Sequence, residues 1–200
     1  MWRIGVTGSI ATGKSTLLAA FEKAGIPTFS ADAAVAELYE GEAVAPVEAL
    51  FPGVAKDKKI DRQELARRLA ADPEKFKALE AVVHPLVRQK IARFMARAEA
   101  DGHVATAVEV PLLFESGYDY GFDAIAVTFV DPQIQAARIM ARPGMTVEKR
   151  DTLLARQMPQ DEKKKRATYL FDTGRPRDDI DAEVAALVAE LKAKEQGPEQ

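Results

Sequence analysis

Residues 2–21 read WRIGVTGSIATGKSTLLAAF, and GSIATGKS, from Gly8 to Ser15, follows the spacing G-x-x-x-x-G-K-S. The lead-in, residues 2–7, is apolar and rich in β-branched side chains, which suits a buried strand. The run TLLAAFEK that follows suits a helix, with Gly25 just beyond as its stop. Gly8 and Gly13 therefore fall in a tight turn from strand to helix. Such a turn points backbone N–H groups into a concavity that wraps phosphate oxygens, and the helix N-terminus adds partial positive charge. Gly8, Ala11, Thr12, Gly13, Lys14, Ser15 and Thr16 are thus the candidate nucleotide-binding residues. Lys14 can reach the β- and γ-phosphates, and the Ser15 hydroxyl suits Mg²⁺.

Composition narrows the class. A chain of 200 residues with 47% hydrophobic content can bury a real core as one domain with insertions, or as two small lobes. The net charge is −3, with acid and base mixed along the chain, so no nucleic-acid surface is expected. Without cysteine there is no disulfide framework, thiolate nucleophile or Cys-based zinc site. No apolar run approaches membrane-spanning length and no signal peptide is evident, so a cytoplasmic protein with no membrane partner is expected.

Along the chain, residues 26–30 read as a second short strand and residues 33–39 as a helix. Residues 41–52 suggest a short helix ending in a turn, and KDKK at 56–59 a polar loop. Asp61 and Glu64 have the spacing of a capping box, and Asp72-Pro73-Glu74 is a second helix start. Leu79, Val82, Val83, Leu86 and Val87 recur at helical spacing. His84-Pro85 is expected to end one helix near Val83 and begin another, which stops at Asp101-Gly102. Residues 33–101 are therefore a mostly helical block. Strands are expected at 104–110, 124–130 and 168–171. Asp131-Pro132 starts one helix, Pro143-Gly144 breaks it, and Thr146 caps another reaching Gln157. Asp178 or Asp179 caps a final amphipathic helix, with a frayed tail at 195–200.

Strands alternating with helices imply an α/β fold, a parallel sheet with helices on both faces. Ligands in such sheets bind at the carboxyl ends of strands. The phosphate loop follows the first strand, Asp32 lies just past the second, and Glu109 ends the third, so these groups are expected to converge.

A phosphate loop alone does not separate kinases from GTPases or motor ATPases. Guanine is usually read by an N-K-x-D loop, and this chain has no asparagine. Motor ATPases usually need a longer chain or a partner domain. A helical block between strands, followed by an Arg-bearing helix, fits a small-molecule kinase in which a lid closes over the donor and excludes water.

More specific stretches are FSADAAVAELY, DRQELARRLAADPEKFKALEAVVHPLV, VEVPLLFE, ARIMAR and LLARQMPQDEKKKRATYLFDTG. With VTGSIATGKST they resemble the dephospho-coenzyme A kinase family along nearly the whole chain. The ordered set LE-x-x-x-HP, VPLLFE and RQ is far narrower than the phosphate loop. The resemblance implies transfer of the ATP γ-phosphoryl to the ribose 3′-hydroxyl of dephospho-coenzyme A, with ATP and Mg²⁺ required. It implies a P-loop core (1–32, 102–131 and 167–200), an acceptor lobe (33–101) and a lid (132–166), as a monomer or weak oligomer. Asp32 would match the second Asp of a D-A-D motif and serve as general base, or orient the 3′-hydroxyl. Ser30 stands where the first Asp is usual. Asp32 also suits the N-cap of a helix from Ala33. Arg142 would be a lid arginine that neutralises the transferring phosphoryl group, with Arg138 one turn earlier and Arg156 a similar candidate; solvated surface arginines are the plainer reading.

Glu109 stands where the family often has Asp. Pro111 and Leu113 would line the acceptor pocket or pack a turn. His84 suits a helix–helix junction, hydrogen-bonded at the kink and able to touch the acceptor. The run from Lys163 to Arg166 either attracts anionic substrates or forms a solvated helix face. Thr173 takes the place of an Asn expected near adenine. Another small-molecule or nucleoside monophosphate kinase, and a nucleotide-dependent switch, are the alternatives.

Overall fold

The computed structural model describes residues 1–196; of the tail expected to fray, residues 197–200 lie outside them. The chain forms two compact units, one of Met1–Phe29 with the chain from Met95 onward, the other Ser30–Phe94.

The first unit is built on a five-stranded sheet in the order β2-β5-β1-β6-β7. The strands are β1 (Trp2–Gly8), β2 (Thr28–Ser30, its last residue at the unit boundary), β5 (Ala105–Glu109), β6 (Ala124–Phe129) and β7 (Tyr169–Asp172). β1 is central and runs parallel to β5 on one side and β6 on the other, and β6 is parallel to β7. The register pairs Val6 with Glu109 and with Ala126. Ile4, Val6, Ala105, Ala107 and Ala126 share one core with α1 (Lys14–Lys23) and α10 (Arg177–Gln196). Alanines on the sheet let α1 come close, and Phe21 of α1 meets Phe171 of β7 edge-on, centroids 6.4 Å apart. The other helices of this unit are α6 (Leu113–Ser116), α7 (Pro132–Met140), α8 (Val147–Ala155) and α9 (Gln160–Lys165).

The sequence signals at helix starts act locally. The Asp131 side chain accepts from Gln133 N at 2.8 Å, and Thr146 Oγ1 from Lys149 N at 3.3 Å. At α10 the expectation fails: the helix starts at Arg177, which puts Asp178 and Asp179 inside its first turn. There they favour the helix dipole instead of capping it. Nor does the helix fray at Glu195, whose carboxylate holds the Met1 amino group at 2.6 Å.

The second unit contains α2 (Ala31–Leu38), α3 (Val44–Leu50), α4 (Arg62–Ala71) and most of α5 (Lys75–Ala100), which crosses the unit boundary. Two expectations are corrected here. KDKK is a hairpin, not a loop: β3 (Ala55–Lys56) pairs with β4 (Lys59–Ile60) around Asp57 and Lys58, at φ 49 and 63. Two left-handed residues match the strand twist in a two-residue hairpin, although neither is Gly or Asn. And α5 does not break at His84-Pro85; it runs 26 residues through Pro85. Proline forfeits one helical hydrogen bond. Here Pro85 is exposed, while Leu79, Val83, Val87 and Ile91 are buried as one i, i+4 stripe that continues past it. Burial of about 2 kcal/mol per such side chain outweighs the proline. Among the described residues no helix is long and apolar enough to cross a membrane.

Candidate active site

The turn between β1 and α1 is shaped by close approach. A Cβ on Gly8 would stand 2.7 Å from Thr128 O, and one on Gly13 2.7 Å from Thr173 Cβ. Gly13 also has φ 83, and Ala11 has φ 62. Left-handed residues alternating in a short loop turn successive N–H groups to one side, which makes an anion nest. Gly13 is the N-cap of α1 and supplies no side-chain acceptor, and no acidic residue occupies the first turn. A helix N-terminus with neither a capping side chain nor an acidic residue is of the kind that suits an anion.

Individual loop residues divide by task. Lys14 Nζ donates to Gly8 O at 3.1 Å and Ser9 O at 3.3 Å. Ser15 is exposed at the start of α1 and Thr16 is half-buried. Thr12 faces inward: its hydroxyl donates to Ser9 O and meets Thr128 Oγ1, both at 2.8 Å. Thr12 thus braces the loop through its side chain. Thr173, where an adenine contact was anticipated, is buried and does the same, its hydroxyl donating to Thr12 O at 2.8 Å.

Glu109 is buried at the carboxyl end of β5, level with Val6 of the strand that feeds the loop. No group of three or more His, Cys, Asp or Glu among the described residues could hold a metal. Mg²⁺ takes one or two protein oxygens and otherwise phosphate and water, so it needs no such group. Ser15, exposed at the start of α1, offers one such oxygen.

Arg138 is not a free arginine. Its guanidinium donates to Thr173 Oγ1 at 3.2 Å and Thr173 O at 2.8 Å, fastening α7 to the turn behind the loop. Arg142 and Arg156 are exposed just past the ends of α7 and α8, and no side-chain partner is found for them among the described residues. Pro111 O accepts from Thr7 Oγ1 at 3.2 Å. Leu113 is core, and Leu112 is the exposed leucine of that turn, at 41%. The basic run at 163–166 is not one solvated face. Lys163 is fully buried and pairs with Glu115 at 2.9 Å while donating to Pro111 O at 3.3 Å. Lys164 lies 4.5 Å from the Phe129 ring centroid, and Arg166 5.6 Å from that of Phe114.

In the second unit, Asp32 is exposed in the first turn of α2, two residues past the end of β2. It is not the helix cap: Ser30 is, its hydroxyl accepting from Ala33 N at 3.4 Å. The Asp32 carboxylate is thus not spent on capping. His84 is exposed on the unbroken α5, 3.9 Å from Glu80 one turn away, so the expected junction and its hydrogen bond are absent.

Sequence reasoning missed the glutamines. Gln157 Oε1 accepts from Ile10 N, and Gln135 Nε2 donates to Ile10 O, both at 2.8 Å. Beside them lies a cavity of about 560 Å³ lined by Ser9, Gln135, Leu154, Gln157, Met158 and Lys164 among others. Gln157 stood in a quoted motif as the Q of RQ; Gln135 carried no signal beyond a polar residue on an amphipathic helix.

The family model described as CoaE, dephospho-CoA kinase, matches residues 2–177. A dephospho-CoA kinase of Rhizobium etli is 50% identical over 194 residues, 97% of this chain and 96% of that protein. The crystal structure of TT1252 from Thermus thermophilus superposes with a TM-score of 0.79 at 35% identity, covering 96% of this chain and 98% of that one. A dephospho-CoA kinase structure from Campylobacter jejuni gives 0.72 at 29% identity, covering 94% and 96%. With a sheet flanked by helices, a phosphate loop at the end of its central strand and these likenesses over nearly its whole length, the chain belongs to the dephospho-CoA kinase family.

Proposed function

We propose that this chain transfers the γ-phosphoryl group of Mg-ATP to the ribose 3′-hydroxyl of dephospho-coenzyme A, giving coenzyme A and ADP. The observation that carries the reading is the uncapped start of α1 behind a nest of left-handed residues, with Lys14 across the loop. The 3′-oxygen attacks the γ-phosphorus, the bond from that phosphorus to the β–γ bridging oxygen breaks, and ADP leaves. Asp32 accepts the hydroxyl proton, for which a carboxylate free of capping duty is suited. Lys14 and the loop N–H groups hold the β- and γ-phosphates, and Arg142 offsets charge on the transferring group. Ser15 would hold Mg²⁺, which when bound would neutralise charge on the donor phosphates. Glu109, Pro111, His84 and Arg156 are the remaining candidates for acceptor contacts.

In this reading residues 33–101 bind the acceptor and residues 132–166 close over the donor, excluding the water that would compete for the phosphoryl group. Both substrates are water-soluble anions, so we assign the reaction to the cytoplasm, carried out by a monomer or weak oligomer without nucleic-acid or membrane partners. ADP release from Mg-ATP, measured with and without dephospho-coenzyme A and beside a panel of nucleoside monophosphates, tests it. Release is expected only with dephospho-coenzyme A. Release with another acceptor would overturn the substrate assignment, and release with none would indicate an ATPase.

A further inference from the structure

Ile10, the second variable residue of the phosphate loop, has both polar groups of its main chain held from outside the loop. Its N–H donates to Gln157, two residues past the end of α8, and its carbonyl accepts from Gln135 of α7. Gln135, 7% exposed, accepts at Oε1 from Gln160 Nε2 at 2.8 Å. Gln160 grips Val130 in turn, accepting from its N–H at 3.1 Å and donating to its carbonyl at 3.2 Å. A backbone N–H can only donate and a carbonyl can only accept. Val130 therefore sets which way the Gln160 amide faces, Gln160 sets Gln135, and Gln135 reaches Ile10 donor first. The chain of amides is fixed at both ends by groups that cannot reverse.

The consequence lies in the peptide planes. In a trans peptide the carbonyl and the next N–H point in opposite directions. Drawing Ile10 O toward Gln135 aims the Ala11 N–H the other way. Drawing Ile10 N–H toward Gln157 turns Ser9 O away from Gln157, and Ser9 O is where Lys14 Nζ, Thr12 Oγ1 and Thr12 N all donate. Ala11, at φ 62, is a non-glycine residue in a conformation that its surroundings must enforce.

We propose that Gln135 and Gln157 are positioning residues for phosphoryl transfer: they hold the two peptide planes flanking Ile10, aiming the Ala11 N–H at the phosphates of the donor and keeping Ser9 O on the side of Lys14. This rests on the assignment of the loop to the donor phosphates.

Gln135→Glu keeps the size of the side chain and the acceptor for Gln160 but presents an acceptor to Ile10 O. Asp161 and Lys164, paired with each other at 3.1 Å, are the charged groups lining the adjoining cavity. Burial raises the pKa of such a carboxyl, and once protonated it donates again. The KM for Mg-ATP is expected to rise about ten-fold at about pH 8 and to return to within about two-fold of wild type at about pH 6, with the KM for dephospho-coenzyme A unchanged. Gln157→Met, which removes the acceptor at similar size, is expected to raise the KM for Mg-ATP about ten-fold at both pH values, with the thermal midpoint near that of wild type. An unchanged KM for Mg-ATP in Gln157→Met, or in Gln135→Glu at about pH 8, overturns the proposal. Lys14→Ala in the same assay separates the two readings. If it leaves Mg-ATP turnover intact, the assignment of the loop itself is what fails.

Discussion

Gly13 carries two constraints at once, a positive φ and contact with Thr173, so a side chain there would strain the backbone and strike its neighbour. Asp32 carries a different kind of constraint: the role proposed for it depends on what it is not doing. Ser30 caps α2, so the cost of removing the Asp32 charge should fall on chemistry and not on the helix. Asp32→Asn is expected to lower kcat by about 10² to 10⁴ while the KM for Mg-ATP and the thermal midpoint stay close to wild type. Steady-state kinetics with both substrates decides this; a lost Mg-ATP affinity with kcat intact would remove Asp32 from the role of base. The turn at Gly13 was legible in the sequence, because a fixed spacing marks it. The burial of Lys163 was not, since in a run of DEKKKR nothing distinguishes the one lysine whose partner, Glu115, is 48 residues earlier.

Among the elements, helix starts were readable where the signal is local, as at Asp61, Asp131 and Thr146. Asp61 accepts from Gln63 N at 3.1 Å and Glu64 N at 3.0 Å, although the capping box is only half made. Glu64 turns away to Arg67 and Arg68, whose hydrogen bonds pull its pKa down to about 2. A lowered carboxylate pKa stabilises α4 above the usual glutamate range, and that contribution fades as pH falls from about 4.5 toward about 2. A carboxyl NMR titration of Glu64 should show a midpoint near 2, and one near 4.5 would mean the arginines do not hold it. The hairpin at Asp57-Lys58 and the helix through Pro85 were misread because each breaks a residue-type rule that tertiary packing then overrides.

The anchoring of α9 gives a second test at this scale. Lys163 bridges Glu115 and Pro111 O, while Glu115 also accepts from Met158 N at 2.8 Å. Lys163→Met should cost about 3 to 5 kcal/mol in urea unfolding, because it strands the Glu115 charge. Adding Glu115→Gln, which keeps an acceptor for Met158, should recover much of that loss; equal destabilisation in the single and double variants would refute the pair.

For the whole molecule, the decisive feature is that β5 and β6 flank β1 on opposite sides, so the chain reverses its sheet order at the strand that carries the phosphate loop. Alternating strands and helices announced the parallel sheet, and the loop motif announced the tight turn from β1 into α1. The amide chain from Val130 to Ile10 could not be announced, because its last hydrogen bond joins residues 125 positions apart. The most direct test of the account is to incubate the protein with Mg-ATP and dephospho-coenzyme A and locate the transferred phosphate by ³¹P NMR. A new phosphomonoester on the ribose 3′-oxygen, with one ADP per product, is the predicted result. A phosphate at any other position, or ADP and inorganic phosphate with dephospho-coenzyme A unchanged, would contradict it.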